Sequence, residues 1–240
     1  MRTARLGARP KPGRPPQDQG IRPEHAIAAN LLERQFQAPQ PNCKWVADFT
    51  YLWTAEGWLY VAVVIDLYSR KVVGWSMADH METALVNDAL CMALNRRHPG
   101  AGLLHHSDRR VQYASDDYTH RLSRQGITMS MSRKGNCWDN AVMESWFATV
   151  KSEEGEHFQS YAHAKEALFD YIEVFYNQRR RHSTLGQISP AVFERRASEE
   201  GVDPMEHRQG RGLPQAPHPS SLSIQEDTTT KNEQHNETVH

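Results

Sequence analysis

Eight residues, Trp58-Leu59-Tyr60-Val61-Ala62-Val63-Val64-Ile65, form a nearly continuous apolar run between two turn-forming tetrapeptides, Thr54-Ala55-Glu56-Gly57 and Asp66-Leu67-Tyr68-Ser69. A run of this length suits a strand, whose side chains alternate between faces. Apolar residues on both faces predict the central strand of a sheet that is covered on both sides. The segment Trp45–Trp53 alternates aromatic or small residues with others, and Arg70–Ser76 follows the second turn. Three strands joined so tightly predict an antiparallel meander.

Further along, Met81–Arg97 carries Leu85, Ala89, Leu90, Ala93 and Leu94 on one helical face, with Pro99-Gly100 to stop it. Leu103-Leu104 reads as a short strand, Ser115–Arg124 as a short helix and Ile127–Met131 as another short strand. Helices between the later strands require parallel crossover connections. Asn136 can cap the next helix, with Asp139 in its first turn. Trp138, Val142, Trp146 and Val150 recur every four residues and predict its buried stripe. Another helix is expected over 163–180, with Ala164, Leu168, Tyr171, Ile172 and Phe175 inward. The order βββαβαβα predicts an α/β fold of the ribonuclease-H-like kind: a five-stranded mixed sheet, three strands antiparallel and two parallel, with helices on both faces.

The 240 residues are 38% hydrophobic, enough for one domain with a sizeable core. Residues 1–39, Pro- and Arg-rich at the start, are expected to be flexible; 40–197 to fold; and 198–240 to form a disordered polar tail. No apolar run approaches the ~18–20 residues needed to span a bilayer, so a cytoplasmic protein without membrane contact is expected. Cys43, Cys91 and Cys137 lack zinc-like spacing and are read as reduced thiols. A net charge of −1 gives no global attraction to nucleic acid, so any DNA contact must rest on local patches such as Arg109-Arg110, Arg133-Lys134 and Arg179-Arg180-Arg181.

Three carboxylates stand out. Asp48 falls inside the first strand, Asp108 just after the fourth, and Glu144 on the helix, with 35 residues between the last two. Glu144 lies about 200° around the helix from Val142, at ~100° per residue, while Asn140 and Lys151 fall within about 40° of it. Glu144 and Lys151 therefore turn off the core together. Taken singly, Asp48 could pair with a buried Arg, Asp108 could satisfy nearby loop N–H groups, and Glu144 could sit on a solvated face. Converging, they would suit hard divalent cations held by carboxylate oxygens. Without metal they would repel one another and raise some of their pKa values. The adjacent His105 and His106 lack a spaced third ligand for zinc and are read as support for Asp108 or as strand-end packing.

The phrases that carry these residues resemble a known family. They are Trp45-Val46-Ala47-Asp48-Phe49-Thr50-Tyr51, His105-His106-Ser107-Asp108 and Trp138-Asp139-Asn140-Ala141-Val142-Met143-Glu144-Ser145, with Asn30–Phe36 before them and Tyr176–Gly186 after. Together they resemble the integrase core of bacterial insertion-sequence transposases, in particular the catalytic, second-reading-frame subunit of the IS-three family, relatives of retroviral integrases. The resemblance implies a DDE transposase in which Asp48, Asp108 and Glu144 hold two Mg²⁺ ions, with Mn²⁺ as a substitute. It implies water as the nucleophile for the first nick at a transposon end and the released 3′-OH for strand transfer. Lys151 matches the family's basic contact to the transposon end; Arg133, Lys134, Arg179, Arg180 and Arg181 are further candidate DNA contacts. Implied partners are transposon-end and target DNA, other copies of the chain, and a helix-turn-helix partner from the first reading frame.

Two departures matter. Where the family reads Asp-Arg-Gly, this chain has Asp108-Arg109-Arg110, and residues 1–40 are too short and irregular for the helix-turn-helix region expected before the core. They motivate one rival, a decayed transposase that binds DNA or a partner without catalysis. A ribonuclease-H-type nuclease acting on hybrids is a second, because one architecture hosts several chemistries.

Overall fold

The computed structural model describes residues 27–155 and 157–200. The remainder of the expected flexible start and nearly all of the expected polar tail lie outside these residues. Strand β1 spans Lys44–Thr54, β2 Gly57–Asp66 and β3 Val72–Ala78. Helix α1 (Thr83–Arg97) leads to β4 (Leu104–Ser107), α2 (Asp116–Arg124) and β5 (Thr128–Met131). A 3₁₀ turn over Cys137–Asn140 runs into α3 (Ala141–Glu154). The two-residue β6 (His157–Phe158) is followed by α4 (Tyr161–Phe169) and later α5 (Pro190–Glu200).

The strand order is β3-β2-β1-β4-β5. β1, β2 and β3 pair antiparallel, while β1–β4 and β4–β5 pair parallel, as the connection lengths require. Two expectations are corrected. The sheet gains a sixth strand, because β6 pairs parallel with the end of β1; two residues are too few to show a period. The middle position belongs to β1, with β2 one place out. The apolar run is nonetheless covered on both faces: Leu59, Val61, Val63 and Ile65 join one core cluster, and Tyr60, Ala62 and Val64 the other.

Helices α1 and α2 cover the second cluster, and α3, α4 and α5 the first. At Gly74 of β3, an added Cβ would lie 2.2 Å from the Ala89 carbonyl oxygen and 2.8 Å from Ala93 Cβ. Only glycine lets α1 come so close. α1 ends where Pro99 foretells, with His98 in the left-handed region and its N–H on the Leu94 carbonyl.

Three further corrections follow from local geometry. Residues 27–39 pack on the core without regular structure: Leu32 and Ala38 are buried, and Leu31 and Leu32 donate their N–H groups to the Ser130 hydroxyl. Trp138 is 68% exposed. It lies in the 3₁₀ turn, so its angular relation to Val142 is not that of a continuous α-helix. The helix expected over 163–180 widens into a π-helix at Asp170–Tyr176. The extra residue per turn rotates the inward face, leaving Phe175 exposed and burying Tyr176 in its stead.

Candidate active site

The parallel register between β1 and β4 pairs Ala47 with Ser107. The next residue on each chain segment, Asp48 and Asp108, therefore lies beside the other at about the ~4.8 Å strand spacing. Asp48 follows Val46 in pointing to the face covered by α3. Glu144, in the first turn of α3, is exposed and off the core, as its helical angle requires. All three carboxylates line one cavity of about 460 Å³, together with Asn140, Arg110 and the 133–136 loop. A second cavity of about 640 Å³ shares Asp48, Arg110 and Glu144 and extends to Lys151. The shared walls make one groove.

Asp48 Oδ1 accepts the Phe49 N–H at 2.7 Å, and its Oδ2 accepts Asn140 Nδ2 at 2.9 Å. Burial raises the Asp48 carboxyl well above the usual range, and the Asp108 charge adds to this; Arg110 and the Phe49 N–H oppose it, while Glu144 reinforces it. The repulsion foreseen from the sequence is thus present, although desolvation is the larger cause. Asp108 is held by one residue twice: Arg110 Nε donates to Oδ2 at 2.6 Å and Arg110 N to Oδ1 at 3.2 Å.

Among the described residues, no three His, Cys, Asp or Glu side chains are gathered closely enough to form a ready metal cage. The donor chemistry nonetheless fits a hard divalent cation, since every acidic group facing the groove offers carboxylate oxygens. Asn140 adds a neutral one: its Oδ1 is buried and has no hydrogen-bond partner among the described residues. Sequence reasoning placed Asn140 on the Glu144 side of the helix but gave it no role. The only signal was that angle.

The basic candidates divide. Lys151 borders the groove two turns after Glu144, its Nζ 5.8 Å from the Tyr51 ring centroid. Lys134 is an exposed part of the groove wall. Arg133 also lines the wall, but its guanidinium is clamped on Asp139, Nε to Oδ2 at 2.9 Å and Nη2 to Oδ1 at 2.8 Å. Asp139 is fully buried and also accepts Asn30 Nδ2 and Arg34 Nε, so it fastens the amino-terminal segment to the start of α3. Asp139 does stand in the first turn of the helical segment that follows Asn136, as expected, and it serves there as a buried clamp as well. The Arg133 hydrogen bonds are the first cause holding the Asp139 carboxyl below the usual range.

The arginine run at 179–181 does not reach the carboxylate groove. Arg180 forks onto Glu153, with Nη2 to Oε1 at 2.9 Å, and Arg180 and Arg181 line a separate cavity of about 520 Å³ with Arg70 and His182. Ser145 and Thr149 of α3 border that cavity, so it lies across the helix from the carboxylates. Arg179 is exposed and lines neither cavity.

His105 and His106 are buried and bind no common centre. His105 Nε2 meets the Tyr118 hydroxyl at 3.0 Å, whereas His106 is bridged by the Ser130 and Ser132 hydroxyls. Burial lowers their pKa values to about 3 and about 4, so both are neutral near pH 7. Strand-end packing is their place, and His106 also ties β4 to the Ser132 wall of the groove.

Comparison with known proteins agrees with this architecture. Family models described as "Integrase core domain" match residues 38–137 and 125–190. Transposase InsF for insertion sequence IS3A of Escherichia coli (strain K12) is 51% identical over 170 residues, 70% of this chain and 59% of that protein. The Insertion element IS600 uncharacterized 31 kDa protein of Shigella sonnei is 48% identical over 169 residues, 70% of this chain and 62% of that protein. The chain thus spans about three-fifths of the length of these relatives. Among solved structures, a chain of the simian T-cell lymphotropic virus intasome in complex with PP2A regulatory subunit B56 gamma superposes with a TM-score of 0.50 at 13% identity, covering 88% of this chain and 67% of that one. That likeness is one of fold, and it bears out the ribonuclease-H-like expectation. Two overlapping family models of the integrase core domain together span residues 38–190, most of the folded part, and the chain therefore belongs to the integrase-core family.

Proposed function

We propose that this chain is a DDE transposase, a metal-dependent polynucleotidyl transferase that cuts and joins the DNA ends of an insertion sequence. The observation that carries this reading is the single groove lined by Asp48 and Asp108 from adjacent parallel strands and by Glu144 from α3. These three carboxylates would hold Mg²⁺, or Mn²⁺ in its place, with Asn140 Oδ1 available as a further oxygen. A bound pair of divalent cations supplies Lewis-acid activation of the attacking and leaving oxygens.

The chain's own residues set the stage for that chemistry. The Phe49 N–H and the Asn140 amide fix the rotamer of Asp48 from two directions. Lys151 and Lys134, at the two ends of the groove, are placed to meet backbone phosphates of a duplex lying along it. In the first step water attacks phosphorus at the transposon end, one P–O bond forms, another breaks, and the products are a 3′-OH and a 5′-phosphate. In the second, that 3′-OH attacks a target phosphodiester, losing its proton as the displaced target oxygen gains one. The DNA ends, the target duplex and further copies of the chain are the partners this chemistry requires.

The Arg110–Asp108 ion pair favours one alternative, a protein that binds DNA without cutting it. The test is nicking of a terminal-repeat duplex at saturating Mg²⁺ or Mn²⁺, with an RNA–DNA hybrid offered alongside. Metal-dependent nicking of the DNA duplex, abolished by Asp108→Asn, is expected. Binding without nicking would establish the alternative, and preferred cleavage of the hybrid would make the protein a ribonuclease-H-type nuclease.

A further inference from the structure

The groove already contains a cation. Arg110 follows two residues after Asp108, and both its backbone and its side chain bind that carboxylate. The guanidinium carbon lies 4.5 Å from the centroid of the Phe49 ring, so a stacking surface supports the side chain in this position. Arg110 lines both halves of the groove alongside Asp48 and Glu144. Its 2.6 Å contact with Asp108 is a charge-assisted bond between partly buried partners, 32% and 20% exposed, and is screened less than a surface pair. A guanidinium bound to Asp108 takes up one acceptor site and places a positive charge beside the remaining ones, which disfavours a divalent ion there, and no three-ligand cage stands ready among the described residues.

We propose that Arg110 is a resident counter-ion of the acidic groove, which competes with a divalent cation for Asp108 and so lowers the affinity for that cation. The proposal rests on the carboxylate metal site proposed above. Arg110 is a positioning residue here, because it acts on the reaction through Asp108. In the metal-free protein the guanidinium relieves the repulsion between Asp48 and Asp108. When metal loads, the ion takes over that task and the Arg110 side chain turns outward along Phe49. The expected consequence is a protein that loads metal more weakly than one with glycine at this position.

The test is Mn²⁺ binding to the full chain, followed by calorimetry and by the paramagnetic resonance signal of free Mn²⁺. Arg110→Gly is expected to tighten binding about tenfold, equivalent to ~1.4 kcal/mol. Arg110→Gln, which keeps a side chain to pack on Phe49 but removes the charge, is expected to tighten it in the same direction. Adding Asp108→Asn to either variant is expected to abolish the gain. If both variants fold and bind Mn²⁺ no more tightly than the wild type, while Asp108→Asn weakens the wild type, the metal site stands and the role of Arg110 is overturned. If Asp108→Asn changes Mn²⁺ binding in no background, the metal site itself fails and this inference falls with it.

Discussion

Asn177 allows a sharp separation of folding from DNA contact within the Tyr176–Gly186 phrase. It is 2% exposed, and its side-chain amide binds both polar groups of one edge-strand residue: Val72 N–H donates to Oδ1 at 2.9 Å and Nδ2 donates to the Val72 carbonyl at 2.9 Å. β3 is an edge of the sheet, so Asn177 plays the part of a neighbouring strand there. Asn177→Ala leaves a buried donor and a buried acceptor unsatisfied, each worth roughly 1–3 kcal/mol. The expected loss is about 2–5 kcal/mol, or roughly 5–15 °C in melting temperature for a folded unit of this size. Urea unfolding followed by tryptophan fluorescence measures it, and hydrogen exchange should show the Val72 amide among the most accelerated. Duplex affinity of the folded fraction should stay unchanged. A stability loss below about 0.5 kcal/mol, or a loss of DNA binding with stability intact, would refute the reasoning.

Two other outcomes follow from buried groups. Burial lowers the pKa of His105 to about 3 and, with the Arg180 and Arg70 charges adding to it, that of His182 to about 4. Below their unfolded value of ~6.5 the unfolded chain takes up protons that the folded chain refuses, so these two groups should lower stability as pH drops from about 6.5 toward 4, opposed by the raised Asp48 carboxyl; a urea midpoint that responds to pH identically in the wild type and in a His105→Gln, His182→Gln variant would contradict this. Gly74→Ala forces a Cβ against the α1 backbone and should cost at least ~1–3 kcal/mol, measured by thermal unfolding, whereas an unchanged melting temperature would mean that α1 can shift freely.

The parts of this molecule legible in the sequence are those with a sustained period. Alternation announced β1, the unbroken run announced β2, and the 3.6-residue period announced α1 and most of α3. Connection length then dictated which strands pair antiparallel and which parallel, and from that register the adjacency of Asp48 and Asp108 follows. The errors cluster where the period changes. Trp138 belongs to a 3₁₀ turn and Phe175 to a π-helix, and in each a helical wheel of constant pitch misplaces the side chain. Residues 27–39 have no period at all, yet the buried Leu32 and the clamp from Asn30 and Arg34 to Asp139 hold them down.

Within the groove, the carboxylates were readable because their phrases are distinctive, while their supports were not. Nothing local marks Asn140 as the amide on Asp48, since the contact spans 92 positions. Arg133 shows the converse: a basic loop read as a phosphate site spends its guanidinium on Asp139, a partner only six residues away. The glycine-to-arginine departure at 110 motivates the rival that binds DNA without catalysis, and the contact of Arg110 with Asp108 gives that rival a physical form.

The most direct test of the central claim, that three carboxylates act as one centre, compares single-turnover nicking of a terminal-repeat duplex by Asp48→Asn, Asp108→Asn and Glu144→Gln at saturating Mn²⁺. The account predicts a loss of at least ~100-fold for every variant while melting temperatures stay near or above that of the wild type, because removing any one member breaks the cation site. Wild-type rates in any of the three would contradict the shared centre.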